Sequence, residues 1–249
     1  MKGKSNEIDL VTEADVASET LIRAALSQSH PEIGFWGEES DQAPETEFFW
    51  VVDPIDGTVN YANQLPFFSI TIALNQYETT RLGVTVELPS RRIFWAKLGD
   101  GAFVRTVDSV DTRLCVNDSS RLRTSVFSTG FPYHRADSTD NNSAEFAYFM
   151  PRCQGIRCLG SSALDLAHVA EGHLAGYWEA WVKAWDAAAG SLFVREAGGC
   201  VTDYSGKPWN VYSHSLVSSN GQEALHTAML EGIREARSGL TESMLQSEG

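Results

Sequence analysis

Apolar residues recur at helical spacing through Val16, Leu21, Ile22, Ala25 and Leu26, behind the polar lead Asp9-Leu10-Val11-Thr12. That spacing predicts a helix from near Thr12 to just before Pro31. Ile33-Gly34-Phe35-Trp36-Gly37 predicts a brief strand that opens through Glu38, Glu39 and Ser40 into a polar loop reaching Pro44, and Phe48-Phe49-Trp50-Val51-Val52 predicts a buried strand. Asp53-Pro54-Ile55-Asp56-Gly57-Thr58 should end that strand in a stiff loop, because a residue before proline is pushed out of the helical region and Gly57 frees the backbone to turn. From Phe67 the pattern alternates, with Phe68, Ile70, Ile72 and Leu74 on one face, and similar runs follow at 82–88, 93–98 and 102–104. Pro89-Ser90 and Gly99-Asp100-Gly101 are hairpin-length separators, so consecutive strands should pair antiparallel.

The second half changes texture. A polar stretch at 135–142 leads to a short helix over 143–150, a strand over 156–159, a helix over 161–170, a strand over 175–181 and a helix over 186–197. Short strands at 201–204 and 216–218 precede a surface helix from Glu223 to about Arg237, and the polar residues 238–249 read as a frayed end. Helix, antiparallel meander, then alternating helix and strand argue for a layered α+β fold. It divides at about residue 130 into an N-terminal subdomain, 1–130, rich in acidic loops, and a C-terminal subdomain, 131–249, with a smaller mixed sheet. No internal repeat is visible.

Composition narrows the function classes. With 33 Asp+Glu against 19 Lys+Arg, the chain carries a formal charge of −14, which repels nucleic-acid backbones and anionic membranes. An anionic ligand would need imported positive charge, and divalent metal held by carboxylates is the usual source. No apolar run approaches the ~18–20 residues that span a bilayer, and the first residues lack the apolar stretch of a secretory signal. Cysteines at 115, 153, 158 and 200 form no C-x-x-C pair and read as reduced thiols, which makes the cytoplasm the expected compartment.

Several acidic positions could carry chemistry, and each has an ordinary structural explanation. Asp53 and Asp56 sit on one stiffened turn where two carboxylates and the Ile55 carbonyl could hold divalent cations; equally, turn aspartates often bond only their own backbone. Glu38 and Glu39 alone would be a solvated loop. Asp15 fits a capping box with Thr12 and the helix-dipole preference for acids in the first turn. Asp186, between Trp185 and the run Ala187-Ala188-Ala189-Gly190, reads either as a helix cap or as a metal ligand, since a lone anion packed against tryptophan is costly. Glu179 lies among Tyr177, Trp178 and Trp181 on a strand, and Gly160-Ser161-Ser162 opens a helix whose free amides suit an anion or hydroxyl. The six histidines form no zincin spacing, and G-x-S-x-G, Walker and G-x-G-x-x-G motifs are absent.

Together, Asp15, Gly37-Glu38-Glu39, Asp53-Pro54-Ile55-Asp56-Gly57-Thr58 and Trp185-Asp186-x-Ala188-Ala189-Gly190 resemble the signature of the inositol monophosphatase family, within the lithium-sensitive, Mg²⁺-dependent phosphatases. The likeness runs from Lys4 through the C-terminal helix and includes Asp9-Leu10-Val11-Thr12 and Glu196-Ala197-Gly198-Gly199. It implies an αβαβα sandwich, usually a homodimer, acting on a small phosphate monoester. It also implies that Glu38, Asp53 and the Ile55 carbonyl hold one Mg²⁺, that Asp53, Asp56 and Asp186 hold a second, and that a third, mostly hydrated, sits near Glu38. Glu39 has no assigned place in that set. Thr58, backed by Asp15, would orient the attacking water, and the amides of Gly57 and Thr58 would steady phosphate oxygens.

For the substrate, the resemblance assigns Asp56, Glu179 and the Ser162 amide to ring hydroxyls, with Gly160, Ser161 and Asp186 around them, and favours myo-inositol monophosphate. Fructose 1,6-bisphosphate, NADP, histidinol phosphate and 3′-phosphoadenosine phosphates are alternatives on the same scaffold, and a non-catalytic Mg²⁺-responsive binding protein is an alternative of another class. Relatives usually carry about one more helix ahead of Lys4, so a shortened start is expected here; Lys183 stands where members vary.

Overall fold

The computed structural model describes residues 2–3, 10–11, 13–39, 43–107, 109–136 and 138–247. A two-residue pair, Lys2–Gly3 (β1) with Leu10–Val11 (β2), precedes helix α1, Glu13–Ser29. The larger sheet follows in simple order: β3 (Gly34–Gly37), β4 (Phe48–Asp56), β5 (Ser69–Gln76), β6 (Thr79–Glu87), β7 (Arg92–Lys97), β8 (Gly101–Arg105) and β9 (Thr112–Arg113). A short helix α2, Thr58–Ala62, joins β4 to β5. The meander from β4 to β9 is antiparallel as expected, but β3 runs parallel to β4, so this sheet is mixed at one edge. The connection from Gly37 to Phe48 is far longer than a hairpin turn, which lets the chain return in the same direction.

The smaller sheet is mixed, in the order β11 (Gly155–Arg157), β10 (Val126–Thr129), β12 (Gly176–Ala180), β14 (Ser215–Ser219), β13 (Cys200–Thr202). Helix α3 is Ser143–Phe149, α4 Ser162–Ala170, α5 Ala184–Glu196 and α6 Glu223–Ser247. Helix α1 packs on β4, α4 and α5 fill the space between the sheets, and α3 and α6 cover the far face of the smaller sheet. This is the layered αβαβα arrangement. Helix α6 runs 25 residues, well past Arg237, where fraying was expected. Arg237 anchors its middle: Nε donates to Glu145 at 2.6 Å, Nη2 reaches Asp140, and the guanidinium lies over Tyr204. No described helix is long and apolar enough to cross a membrane.

On two elements the buried face is not the one that carries the large apolar residues. On β5 the buried side chains are Ser69, Thr71, Ala73 and Asn75, whereas Phe68, Ile70, Ile72 and Leu74 are half-buried. Small residues are needed on the inner face because α5 comes very close: a Cβ on Gly83 would lie 2.9 Å from the Cα of Ala189, and Ala96 and Ala102 share the same core with Ala187 and Ala188. On α1 the inward stripe is Asp15, Ser18 and Glu19, while Val16 is 52% and Leu21 72% exposed. That helix is oriented by polar contacts to the loops beside it, described below. The capping partner expected at Thr12, the segment around Lys4 and residue Ser40 lie outside the described residues.

Candidate active site

The carboxylates gather where β4 leaves the larger sheet. Asp53 pairs with Thr71 and Asp56 with Ser69, so three steps on β4 match two on β5. Residues three apart on a regular strand face opposite sides; the one extra residue of this bulge returns both aspartates to the same side. Pro54 sits in the bulge, where its missing N–H costs no ladder bond. The strand therefore continues through Asp56 instead of ending at Asp53, as the proline had suggested.

The bulge is tied down from within. Asp53 Oδ1 accepts the Ile55 N–H at 2.9 Å, and the Ile55 carbonyl is 3.0 Å from the Thr58 hydroxyl, which also faces Asp15 Oδ1 at 3.2 Å. Ser18 donates to the Pro54 carbonyl at 3.0 Å, and Glu19 Oε2 accepts the Glu39 N–H at 2.8 Å. Asp15, Ser18 and Glu19 lie on one face of α1, and this explains the inward polar stripe. Asp15 is thus a partner of Thr58, beyond any capping role.

Asp56 is the most heavily bonded acid. Its Oδ2 accepts from Ser69 Oγ and the Ala163 N–H, each at 3.1 Å, and from Ser161 Oγ; its Oδ1 accepts the Ser162 N–H at 3.1 Å. The first amides of α4 thus point at Asp56, and Oδ1 keeps more free lone-pair capacity than Oδ2. Burial is the main reason its pKa is pushed up to about 6, against the lowering effect of these bonds. Burial likewise pushes Asp53 well above the carboxylate range, reinforced by the charges of Glu38, Asp56 and Asp186. For Asp186, burial acts first, then Glu179 and Asp56. Asp186 is the third residue of α5, accepting the Lys183 N–H at 2.8 Å, so it closes that helix start from inside.

Glu179, on β12, accepts from Ser162 Oγ at 2.8 Å and from the Tyr177 hydroxyl. Burial raises its pKa while those two donors lower it. All the expected site residues, namely Asp15, Glu38, Asp53, Ile55, Asp56, Gly57, Thr58, Gly160, Ser161, Ser162, Glu179 and Asp186, are described, and contacts or electrostatic coupling link them. Two carry more backbone duty than expected. Gly57 (φ +92°) and Gly160 (φ +84°) are left-handed and face each other: a Cβ on Gly57 would lie 2.9 Å from the Gly160 carbonyl. Asn60 locks the pair by donating to the carbonyls of Phe67 and Leu159, both at 2.7 Å.

Gly57→Ala should therefore destabilise the fold by about 2 kcal/mol, from left-handed strain plus the clash, and lower turnover with it. Urea unfolding and phosphate release check this; an unchanged midpoint with full turnover would show that the turn tolerates a side chain.

Sequence reading gave no role to Ser69, Glu19, Tyr177, Gly130 and Asp165. A Cβ at Gly130 would overlap the Glu179 carboxylate, and Asp165 is a buried acid one turn into α4 whose pKa is raised first by burial, then by Asp56 and Glu179. Only Asp165 had a readable signal, an acid amid Ala163, Leu164 and Leu166.

The donor set fits hard divalent cations: carboxylates and one carbonyl converge, and the charges bearing most on Asp53 are all acidic. The profile of the inositol monophosphatase family matches residues 1–238. The inositol-1-monophosphatase of Mesorhizobium japonicum is 35% identical over 229 residues, 91% of this chain and 84% of that protein. The Nus factor SuhB of Pasteurella multocida is 38% identical over 213 residues, 85% and 78% of the two chains. The structure of inositol monophosphatase from Anabaena (Nostoc) sp. PCC 7120 superposes with a TM-score of 0.84 at 36% identity, covering 90% of this chain and 87% of that one. The chain belongs to the inositol monophosphatase family and is a phosphoric monoester hydrolase.

Proposed function

We propose that the protein hydrolyses myo-inositol monophosphate to inositol and phosphate with two or three Mg²⁺ ions. The observation that carries this reading is the gathering of half-buried Glu38 and Asp186 around buried Asp53 and Asp56, close enough for their charges to raise one another's pKa, with Glu179 beside them. Glu38, Asp53 and the Ile55 carbonyl would hold one ion, and Asp53, Asp56 and Asp186 another. When bound, Mg²⁺ cancels the carboxylate charge so that a phosphate dianion can approach, acidifies water and stabilises the leaving oxygen.

The protein's own residues supply the rest. Thr58 Oγ1 has one proton, which can go to Asp15, 3.2 Å away; a water donating to that same oxygen is then held and oriented by the pair. The fixed bulge keeps Thr58 and Asp15 in register with the phosphate, which favours in-line attack. Ser162 uses its amide on Asp56 and its hydroxyl on Glu179, so Glu179 is left as the side chain that can accept from sugar hydroxyls. A carboxylate placed to accept from such hydroxyls discriminates against esters that lack them.

The test is phosphate release from myo-inositol 1-phosphate, fructose 1,6-bisphosphate and NADP, with Mg²⁺, with EDTA and with added lithium. Mg²⁺-dependent, lithium-inhibited release fastest on inositol phosphate is expected. Preference for another ester would overturn the substrate and keep the chemistry. A relative named Nus factor SuhB motivates a second reading, binding without turnover, and a folded, Mg²⁺-loaded protein silent on every ester would favour it.

A further inference from the structure

The far end of α4 holds a second group of donor atoms. His168, in its last turn, Glu171 at its C-cap and His173 just beyond bring two imidazole nitrogens and one carboxylate oxygen together. His168 Nδ1 lies 3.1 Å from Glu171 Oε2, His173 Nδ1 lies 3.3 Å from the same oxygen, and the two nitrogens are 3.4 Å apart. Ligands at ~2.0–2.1 Å around a tetrahedral ion are separated by about 3.3–3.4 Å, so this triangle already has the edges of such a site. With no ion, at most two imidazole protons crowd one oxygen; a cation would satisfy all three donors at once.

The arrangement is held before any ligand arrives. Gly172 (φ +78°) makes the turn that folds His173 back, and a Cβ there would meet the Cys115 carbonyl at 2.9 Å. The His173 N–H donates to the His168 carbonyl at 3.0 Å. Phe67 stacks on the His168 ring, 5.8 Å between centroids and 20° between planes. Arg92, from β7, binds the other Glu171 oxygen, Oε1, which leaves Oε2 turned toward the imidazoles. Outer contacts of this kind orient metal ligands. Side-chain exposures are 17% for His168, 13% for Glu171 and 63% for His173, so two ligands are sheltered and the third opens to solvent.

We propose that His168, Glu171 and His173 form a binding site for Zn²⁺, with a fourth position open to water. Two imidazoles and one carboxylate select a borderline transition metal over Mg²⁺, which prefers oxygen in octahedral surroundings. The site is separate from the acidic one: α4 is nine residues long, about 13 Å end to end, and its other end holds Asp56. Zn²⁺ would tie His173 to the C-terminal end of that helix, which Glu171 already joins to β7 through Arg92.

The test is calorimetric titration of EDTA-treated, reduced protein with Zn²⁺ in excess Mg²⁺, alongside thermal unfolding. Wild type and Asp53→Asn should each bind one tight equivalent and gain thermal stability. His173→Ala, a change at an exposed ring, should lose that equivalent while Mg²⁺-dependent turnover stays unchanged, and His168→Ala should lose it too. Arg92→Gln should weaken binding by about 10- to 100-fold. Equal Zn²⁺ binding by wild type and His173→Ala, or no tight equivalent in wild type, would overturn the site.

Discussion

Asp53→Asn should lower phosphatase turnover by about 10³-fold or more, the several kcal/mol of transition-state stabilisation a divalent ion supplies. Asp53 is the one side chain that the proposed ligand sets share. Asn keeps the shape and can still accept the Ile55 N–H that now bonds Oδ1 at 2.9 Å. It also removes one of the charges that Glu38, Asp56 and Asp186 oppose, so the metal-free fold should be at least as stable as wild type. Two measurements separate the effects: turnover on the preferred ester, and the rise in Tm on adding Mg²⁺. Wild type should show both, the variant neither. A variant that kept most of its rate, or its Mg²⁺-induced rise in Tm, would remove Asp53 from the metal site.

The acids themselves were legible in the sequence, because their spacing around apolar strands matched a family pattern. Their geometry was not. Asp53-Pro54-Ile55-Asp56 looked like a strand end, and only pairing with Thr71 and Ser69 reveals a bulge that aims both aspartates the same way. Alternation on β5 correctly marked a strand but not which of its faces turns inward. Burial there is set by how closely α5 approaches, which selects Ala73 and Gly83 over Ile70 and Ile72. On helix α1 the apolar series through Val16 and Leu21 marked a helix but not its buried side: contacts of Asp15, Ser18 and Glu19 with loops distant in sequence decide its rotation. Strand β10, an interior strand of its sheet, escaped notice because Val126–Thr129 is four residues long and half polar. The roles of the Ser69 and Tyr177 hydroxyls were hidden for a similar reason, since a hydroxyl on a strand gains meaning only from the acid it meets.

Glu179→Ala should raise KM for myo-inositol monophosphate by about 10- to 100-fold, the worth of one or two hydrogen bonds to a charged group, and leave KM for a simple alkyl phosphate within a few-fold. Glu179 Oε2 is engaged by Ser162 and Tyr177, and those donors fix the carboxylate's orientation while Oε1 packs beside Gly130. The absence of any side chain at Gly130 leaves space beside the carboxylate that a larger residue would fill. Truncation to Ala leaves the Tyr177 hydroxyl its 2.8 Å bond to Ser162, so the fold should survive. Glu179→Gln, which keeps the shape and loses the charge, should fall between Ala and wild type for the inositol ester. The informative readout is the split between KM and kcat on the two substrates. Loss confined to inositol phosphate would mean that Glu179 reads the sugar. Equal losses on both esters would mean that it acts through Asp186, whose pKa is raised by the Glu179 charge, and substrate choice would then have to lie elsewhere on the rim.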